Sequence, residues 1–199
     1  MIEMDNVSYY SVTDSESADQ ISEFLVDHLP TKDPAQMTIF DGMACIGGNT
    51  FSFAKYFGKV LSNELNPTRF EMLRRNILDV LQIGSIVTSI TNMSILDAAF
   101  STDITHYDVL FLDPEWGGPD YKNFKELQLK IGESVLIEEF VLDVFRRRPS
   151  CEYVLLKLPL NFDIDHFVEE IGYPHFILHL RKMLVILICR ATDHPAISL

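Results

Sequence analysis

Between residues 37 and 189 short apolar runs alternate with longer amphipathic ones, and this alternation limits the fold more than any other feature of the chain. MTIFDG (37–42) reads as a strand stopped by Asp-Gly, NTFSFAKYFG (49–58) as a helix closed by Gly58, and KVLSNEL (59–65) as a second strand. PTRFEMLRRNILDVLQIG (67–84) has helical spacing, with Pro67 at its first position, Phe70, Leu73, Ile77 and Val80–Leu81 on one face, and Gly84 at its end. IVTSI (86–90), DVLFLDP (108–114) and YVLLKLP (153–159) are three more strands; ESVLIEEFVLDVFRRR (133–148), basic at its C-terminal end, and DHFVEEIG (165–172) are helices. FILHLRK and LVILICR close the run as an antiparallel pair. Strands alternating with helices predict an α/β protein: a mostly parallel sheet with helices on both faces. Ligands of such sheets lie beyond the carboxyl ends of the strands, so the residues there are the ones to inspect.

The region before the sheet is short. Residues 1–20 are acidic and Ser-rich, without Lys or Arg, and read either as a flexible arm or as a lid that orders on binding. ADQISEFLVDHL (18–29) is expected to be this region's one helix, with Ile21, Phe24, Leu25 and Leu29 on one face, Ser17 as N-cap and Pro30 as the stop. The expected division is therefore a 1–36 arm and a 37–199 domain.

Charge and cysteine usage exclude several functions. With 16 Lys+Arg against 29 Asp+Glu, a net charge of −13, the chain is a poor candidate for gripping long duplexes along their phosphates. A small ligand, or the end of a nucleic acid held by few contacts, remains compatible. Three scattered cysteines, Cys45, Cys151 and Cys189, support neither a disulfide framework nor a zinc site and suggest a reducing, intracellular compartment. The longest apolar run, MLVILIC, is too short to span a bilayer, so no membrane role is expected.

Four strand ends carry candidate residues. DGMACIGGNT (41–50) joins Asp41 to a loop whose Gly42, Gly47 and Gly48 would let a ligand approach the backbone, although a tight connection explains them too. Glu64, 23 residues beyond Asp41, is placed to take two ribose hydroxyls. In TNMSILD (91–97), Asn92 and Met93 can flank an adenine, with Asp97 near, but this is the least specific signal and a purely structural role is the favoured reading. In LFLDPEWGGPDY (110–121), Asp113 ends a strand, and Trp116, the only tryptophan, offers a flat face to a planar ligand beside Gly117 and Gly118.

DGMACIGGNTFSFA, DVLFLDPEWGGPDY and LPLNFDID, in this order, resemble the trimethylguanosine synthases, the RNA cap guanine-N2 methyltransferases, over roughly residues 36 to 190. The resemblance implies a three-layer Rossmann-like methyltransferase fold with a seven-stranded sheet, one C-terminal strand antiparallel, and S-adenosylmethionine as cofactor. It implies that Asp41, Cys45, Gly47, Gly48, Asn49 and Thr50 surround the methionine part of that cofactor, that Glu64 binds its ribose, and that Asn92, Met93 and Asp113 complete the site. Asp113 and Pro114 would flank the reacting amine, and Trp116 would stack on a cationic 7-methylguanine. Glu115, Gly117, Tyr121 and Asn161 would meet the rest of the cap. The implied partner is capped RNA or a cap nucleotide (m7GTP, m7GpppN), taken by a monomer in cytoplasm or nucleus.

The chain departs from the family's pattern at three points. Glu115 stands where a second proline is usual. Leu160 replaces a common arginine, leaving Lys157, Arg181 or Lys182 to contact phosphate. The extension before the sheet is trimmed, as in some large DNA viruses or protists. The alternatives are a methyltransferase acting on another amine of nucleic acid or protein, and a catalytically weak module that binds cap or cofactor.

Overall fold

A computed structural model of the protein describes residues 1–29 and 32–190, so Pro30 and the end of the chain lie outside the described residues. Two helices, not one, precede the sheet: α1 (Asn6–Ser11) and α2 (Ser15–Asp27), followed by a 3-10 turn at Pro34–Gln36. α1 lacks a long apolar stripe, but its start is fixed locally. The Ser8 N–H donates to the Asp5 carboxylate at 2.7 Å, and the Asp5 N–H donates to the Ser8 hydroxyl at 2.8 Å, a reciprocal cap. α2 begins earlier than its apolar pattern implies because Asp14, rather than Ser17, is the cap: its carboxylate accepts the Ser17 N–H at 3.0 Å.

The alternation then runs β1 (Thr38–Asp41), α3 (Gly48–Phe53), β2 (Lys59–Asn63), α4 (Pro67–Arg75), β3 (Val87–Thr91), α5 (Ile95–Ala98) and β4 (Val109–Leu112). A small hairpin of β5 (Lys130–Ile131) and β6 (Val135–Leu136) leads into α6 (Ile137–Arg147), β7 (Tyr153–Pro159), α7 (Ile164–Ile171), β8 (His175–His179) and β9 (Met183–Cys189). The seven-stranded sheet has the order β3-β2-β1-β4-β7-β9-β8, with β9 antiparallel to both neighbours and the other pairings parallel. Strand order reverses between β1 and β4, which opens a crevice where their carboxyl ends diverge.

Alternate residues of each strand point to opposite faces, and both faces are buried. Phe40, Leu110, Leu112, Leu156 and Ile186 pack under α5, α6 and α7, while Ile39, Val60, Val109, Phe111 and Leu155 pack under α2, α3 and α4. Three helices after β1 differ from their expected bounds. α6 starts at Ile137 rather than at residue 133, because Val135–Leu136 pairs as β6. α3 ends at Phe53, well short of Gly58, whose role is a close approach: a Cβ on Gly58 would lie 1.9 Å from the Ala35 carbonyl oxygen. The 67–84 helix passes into a π-turn over Asn76–Val80, closed by Leu81 N–H donating to the Asn76 carbonyl at 2.8 Å. The extra residue rotates the following side chains, so Val80, expected inside, is exposed, while Leu81 still packs on the core.

Gly58→Ala should therefore lower stability by about 2–3 kcal/mol, since the clash is with backbone and cannot be relieved by a rotamer. Urea denaturation with an unchanged m-value would confirm it; an unaltered midpoint would count against this packing.

Candidate functional site

Parallel pairing sets the site. Asp41 follows Ile39 by two residues, Glu64 and Ser62 follow Val60, Asp113 follows Phe111, and Lys157 follows Leu155. All of these therefore project from the same face of the sheet, the α3 side, at or just beyond the carboxyl ends of β2, β1, β4 and β7. The structure thus brings together Asp41, Glu64 and Asp113, three acids far apart in sequence, and adds Lys157.

Asp41 is fully buried. One carboxylate oxygen accepts the Thr50 hydroxyl at 2.6 Å, and Thr50 lies 3.0 Å from the Ser62 hydroxyl; the other oxygen, Oδ1, is buried without a hydrogen-bond partner. Burial pushes its pKa up to about 7 against the Thr50 bond, with the Asp113 charge adding to the rise. Thr50 is fully buried, so its hydroxyl serves Asp41.

The loop after Asp41 is held from three sides. Cys45 has a positive φ of 51°, and its N–H donates to Glu64 Oε2 at 2.9 Å. Burial, followed by the Glu64 charge, pushes its thiol up to about 12, so it stays neutral. Gly47, at φ 101°, starts α3 in a conformation that favours glycine. Gly48 is bare for the chain's own N-terminal segment: a Cβ there would meet Val12 Cγ2 at 2.8 Å and the Thr13 carbonyl at 2.9 Å. Asn49 donates to the Thr13 hydroxyl at 3.0 Å, and its Oδ1 is a second buried acceptor without a partner.

The first residues fold against this loop. Asn76, buried in the π-turn, accepts the Glu3 N–H at 2.8 Å and donates to the carbonyls of Glu3 at 2.9 Å and Ile46 at 3.1 Å. Thr13 and Asn76 were missed by sequence reasoning. A buried asparagine inside an apolar helical pattern was the available signal, because an amide in such a position needs partners from another segment.

Glu64 already accepts the N–H groups of Cys45 and Asn66, the latter at 2.8 Å, and faces Arg69 Nε at 3.4 Å. A carboxylate has about four acceptor positions, so one remains for a ligand hydroxyl. Asn92 donates to the carbonyls of Glu64 and Leu65, and the Met93 N–H donates to Asn63 Oδ1 at 3.2 Å, so both brace the exit of β2. Asp97 is exposed in α5.

The turn after β4 carries the aromatic group. Pro114 is buried, Glu115 exposed, and Trp116 half-buried on the rim of both cores. Gly117 and Gly118 have φ of 90° and 68°, and no atom lies within 4 Å of where their Cβ atoms would be. The glycines thus serve both the left-handed backbone and an open space beside the ring. Tyr121 meets Trp116 edge-on with centroids 5.4 Å apart, and Asn161 donates to the carbonyls of Tyr121 and Phe124, stapling this segment in place. The Trp116 Nε1 is buried without a hydrogen-bond partner. Asp113 Oδ2 receives the Lys157 ammonium at 2.6 Å; burial raises the Asp113 pKa while Lys157 opposes the rise. Lys157 is 4% exposed and therefore turned away from any phosphate, whereas Arg181 and Lys182 are exposed after β8, as is Leu160. Among the described residues no cluster of His, Cys, Asp and Glu could hold a metal ion.

The sequence profile of the RNA cap guanine-N2 methyltransferases matches residues 36–189. The chain is 30% identical over 163 residues to the trimethylguanosine synthase of Schizosaccharomyces pombe, covering 81% of this chain and 64% of that protein. It is also 30% identical over 207 residues to an uncharacterised protein of Acanthamoeba polyphaga mimivirus, covering 94% of this chain and 78% of the viral one. Among solved structures, a precorrin-6y methyltransferase of Geobacter metallireducens superposes with a TM-score of 0.63 at 14% identity, over 92% of this chain and 91% of its own. An RNA methyltransferase of Salinibacter ruber, solved with S-adenosyl-L-homocysteine, gives 0.55 at 16% identity, over 94% and 99%. At such identities the structures attest the fold.

The buried acid at the end of β1 should leave a signature in stability. An aspartate that titrates near 7 when folded, but in the usual carboxylate range when unfolded, makes the folded state bind more protons between those values. Its contribution to stability therefore falls as pH rises from about 4 to about 7 and is level above. Asp41→Asn keeps an acceptor for Thr50 and cannot ionise. In the ligand-free protein its advantage in thermal denaturation should be absent near pH 4 and grow to a few kcal/mol by neutral pH; an advantage constant with pH would contradict this.

Proposed function

As this chain belongs to the RNA cap guanine-N2 methyltransferase family, we propose that it transfers a methyl group from S-adenosylmethionine to the exocyclic N2 of (7-methyl)guanosine in an RNA 5′ cap, giving dimethyl- or trimethylguanosine. The observation that carries this reading is the placement of the only tryptophan: half-buried, beside a strand-end carboxylate, on a turn whose two glycines leave open space next to the ring.

The residues at the ends of β1 and β2 fit the cofactor. Asp41 Oδ1 and Asn49 Oδ1 are buried acceptors without donors, and leaving such an acceptor unpaired costs about 1–3 kcal/mol. The ammonium of the cofactor's methionine part is the kind of donor they lack, and a positive charge beside Asp41 would lower the pKa that burial has raised. Glu64 offers its remaining acceptor position to the ribose, and Met93 and Asn92 border the adenine. When bound, the cofactor supplies a methyl group that its sulfonium has already made electrophilic.

The protein's part is alignment and proton removal. Trp116 fixes the plane of the base, so that N2 faces Asp113; holding the reactants in line replaces a bimolecular encounter and lowers the barrier by several kcal/mol. Lys157 takes Oδ2 of Asp113, leaving Oδ1 to accept an N–H of the amine. An amine that had received the methyl group would carry positive charge, and this carboxylate is the group placed to take its proton. Glu115, exposed on the turn, would meet the N1 edge of guanine, and Tyr121 with the exposed Arg181 and Lys182 would contact the phosphates.

Methyl-labelled S-adenosylmethionine with m7GTP or m7GpppA should give product labelled at N2. Label on another atom would favour the other-amine reading, and binding without turnover the weak module. m7GTP should quench the single tryptophan, and Trp116→Ala should lower kcat/KM for the cap nucleotide by about 10- to 30-fold, the loss of one stacked cationic contact. Full activity of that variant would refute the docking role of the ring.

A further inference from the structure

Lys157 stands out in the buried strand YVLLKLP. It lies between Leu156 and Leu158, both fully buried, and pairs across the ladder with Val185 of β9. Enclosing an ammonium there costs several kcal/mol unless a charged partner is held close, and an aliphatic side chain would fill the core without that cost. The partner is fixed by the backbone. β4 and β7 pair in parallel with Leu112 opposite Leu156, so the next residues, Asp113 and Lys157, stand side by side on one face. Their Nζ–Oδ2 distance is 2.6 Å, and the same ammonium lies 5.3 Å from the Trp116 ring centroid, within reach of cation–π attraction. One cation thus touches both groups that the proposed reaction requires.

We infer that Lys157 is a positioning residue for methyl transfer: a counter-ion built into β7 that keeps Asp113 a carboxylate, aims its free oxygen at the acceptor amine and sets the angle of the indole. This rests on the reading of Asp113 as the amine's acceptor. The groups facing Asp113 are Lys157 from β7, Asp41 from the end of β1 and Cys45 from the loop that follows it. Cys45 is neutral, and Asp41 repels only when ionised, so Lys157 alone among these three favours the ionised form. Burial pushes the other way. Without Lys157 the carboxyl should hold its proton to higher pH, and in that form it is a weaker acceptor for an N–H and cannot take the amine's proton.

The test compares the full-length wild type with Lys157→Met, which suits an apolar strand, Lys157→Arg, which keeps the charge, and Lys157→Gln should the methionine variant fail to fold. Carbon-13 NMR of labelled aspartate, with Asp113→Asn assigning the signal, reads the Asp113 carboxyl without substrate. Its midpoint should rise by about one pH unit or more in the uncharged variant, the effect of losing an adjacent opposite charge, and return toward wild type with arginine. The acid limb of kcat/KM for m7GTP should move the same way, with activity recovered by raising pH. An unmoved midpoint, or a loss that no pH restores, would overturn the assignment. A shifted midpoint in a protein that leaves N2 of the cap unlabelled would count against the cap reading and not against the pair.

Discussion

Parallel strands in register are the constraint on which the site depends. A side chain two residues beyond a core position emerges on the face that position occupies, and neighbouring strands end together. Asp41, Glu64, Asp113 and Lys157 come from positions spread over 117 residues, yet share one face because each continues an apolar alternation. A slip of one residue in the β4–β7 pairing would turn Asp113 toward α5 and α6 and leave Lys157 facing aliphatic neighbours. Packing on both faces of the sheet makes such a slip costly, so the cores beneath the strands also fix the chemistry above them.

The site is short of positive charge. Three carboxylates meet one lysine and, at Glu64, one arginine, and the Asp41 oxygen that has no donor lies at full burial. Such an arrangement is poorly suited to an anionic substrate at its centre and well suited to a ligand carrying cations. In the proposed reading the sulfonium, the ammonium and the 7-methylated purine are all cationic, and the phosphates of the cap would lie at the rim, where Arg181 and Lys182 are exposed. The net charge of −13 agrees with the proposed reading, in which only the end of an RNA would be held.

Much of this was legible in the chain. Apolar runs bounded by Gly, Pro and Asp located the seven strands of the main sheet, since strands buried on both faces read as continuous hydrophobic segments. Asp113 and Trp116 could be singled out because a tryptophan between Asp-Pro and two glycines is poor core chemistry. The details that escaped depend on contacts between distant segments. The π-turn at Asn76 follows from bonds to residues 3 and 46, which no local pattern contains. Gly48 and Gly58 read locally as a ligand loop and a helix end, and the structure adds that another segment of the same chain crosses close to each. The acidic first residues, read as arm or lid, form α1, whose cap is a two-residue arrangement too short to show in a periodicity. The hairpin of β5 and β6 is likewise too brief to register.

The order β7-β9-β8 has a consequence for biosynthesis. β8 precedes β9 in the chain but lies outside it in the sheet, so β8 has no edge to join until β9 has been inserted. A nascent polypeptide reaching only residue 180 would expose the unpaired side of β7, a strand of seven residues that is apolar apart from Lys157, to any other strand nearby. Completion of the sheet must therefore follow release of β9 from the ribosome tunnel, and a truncation that removes β9 should produce aggregates rather than a smaller soluble domain.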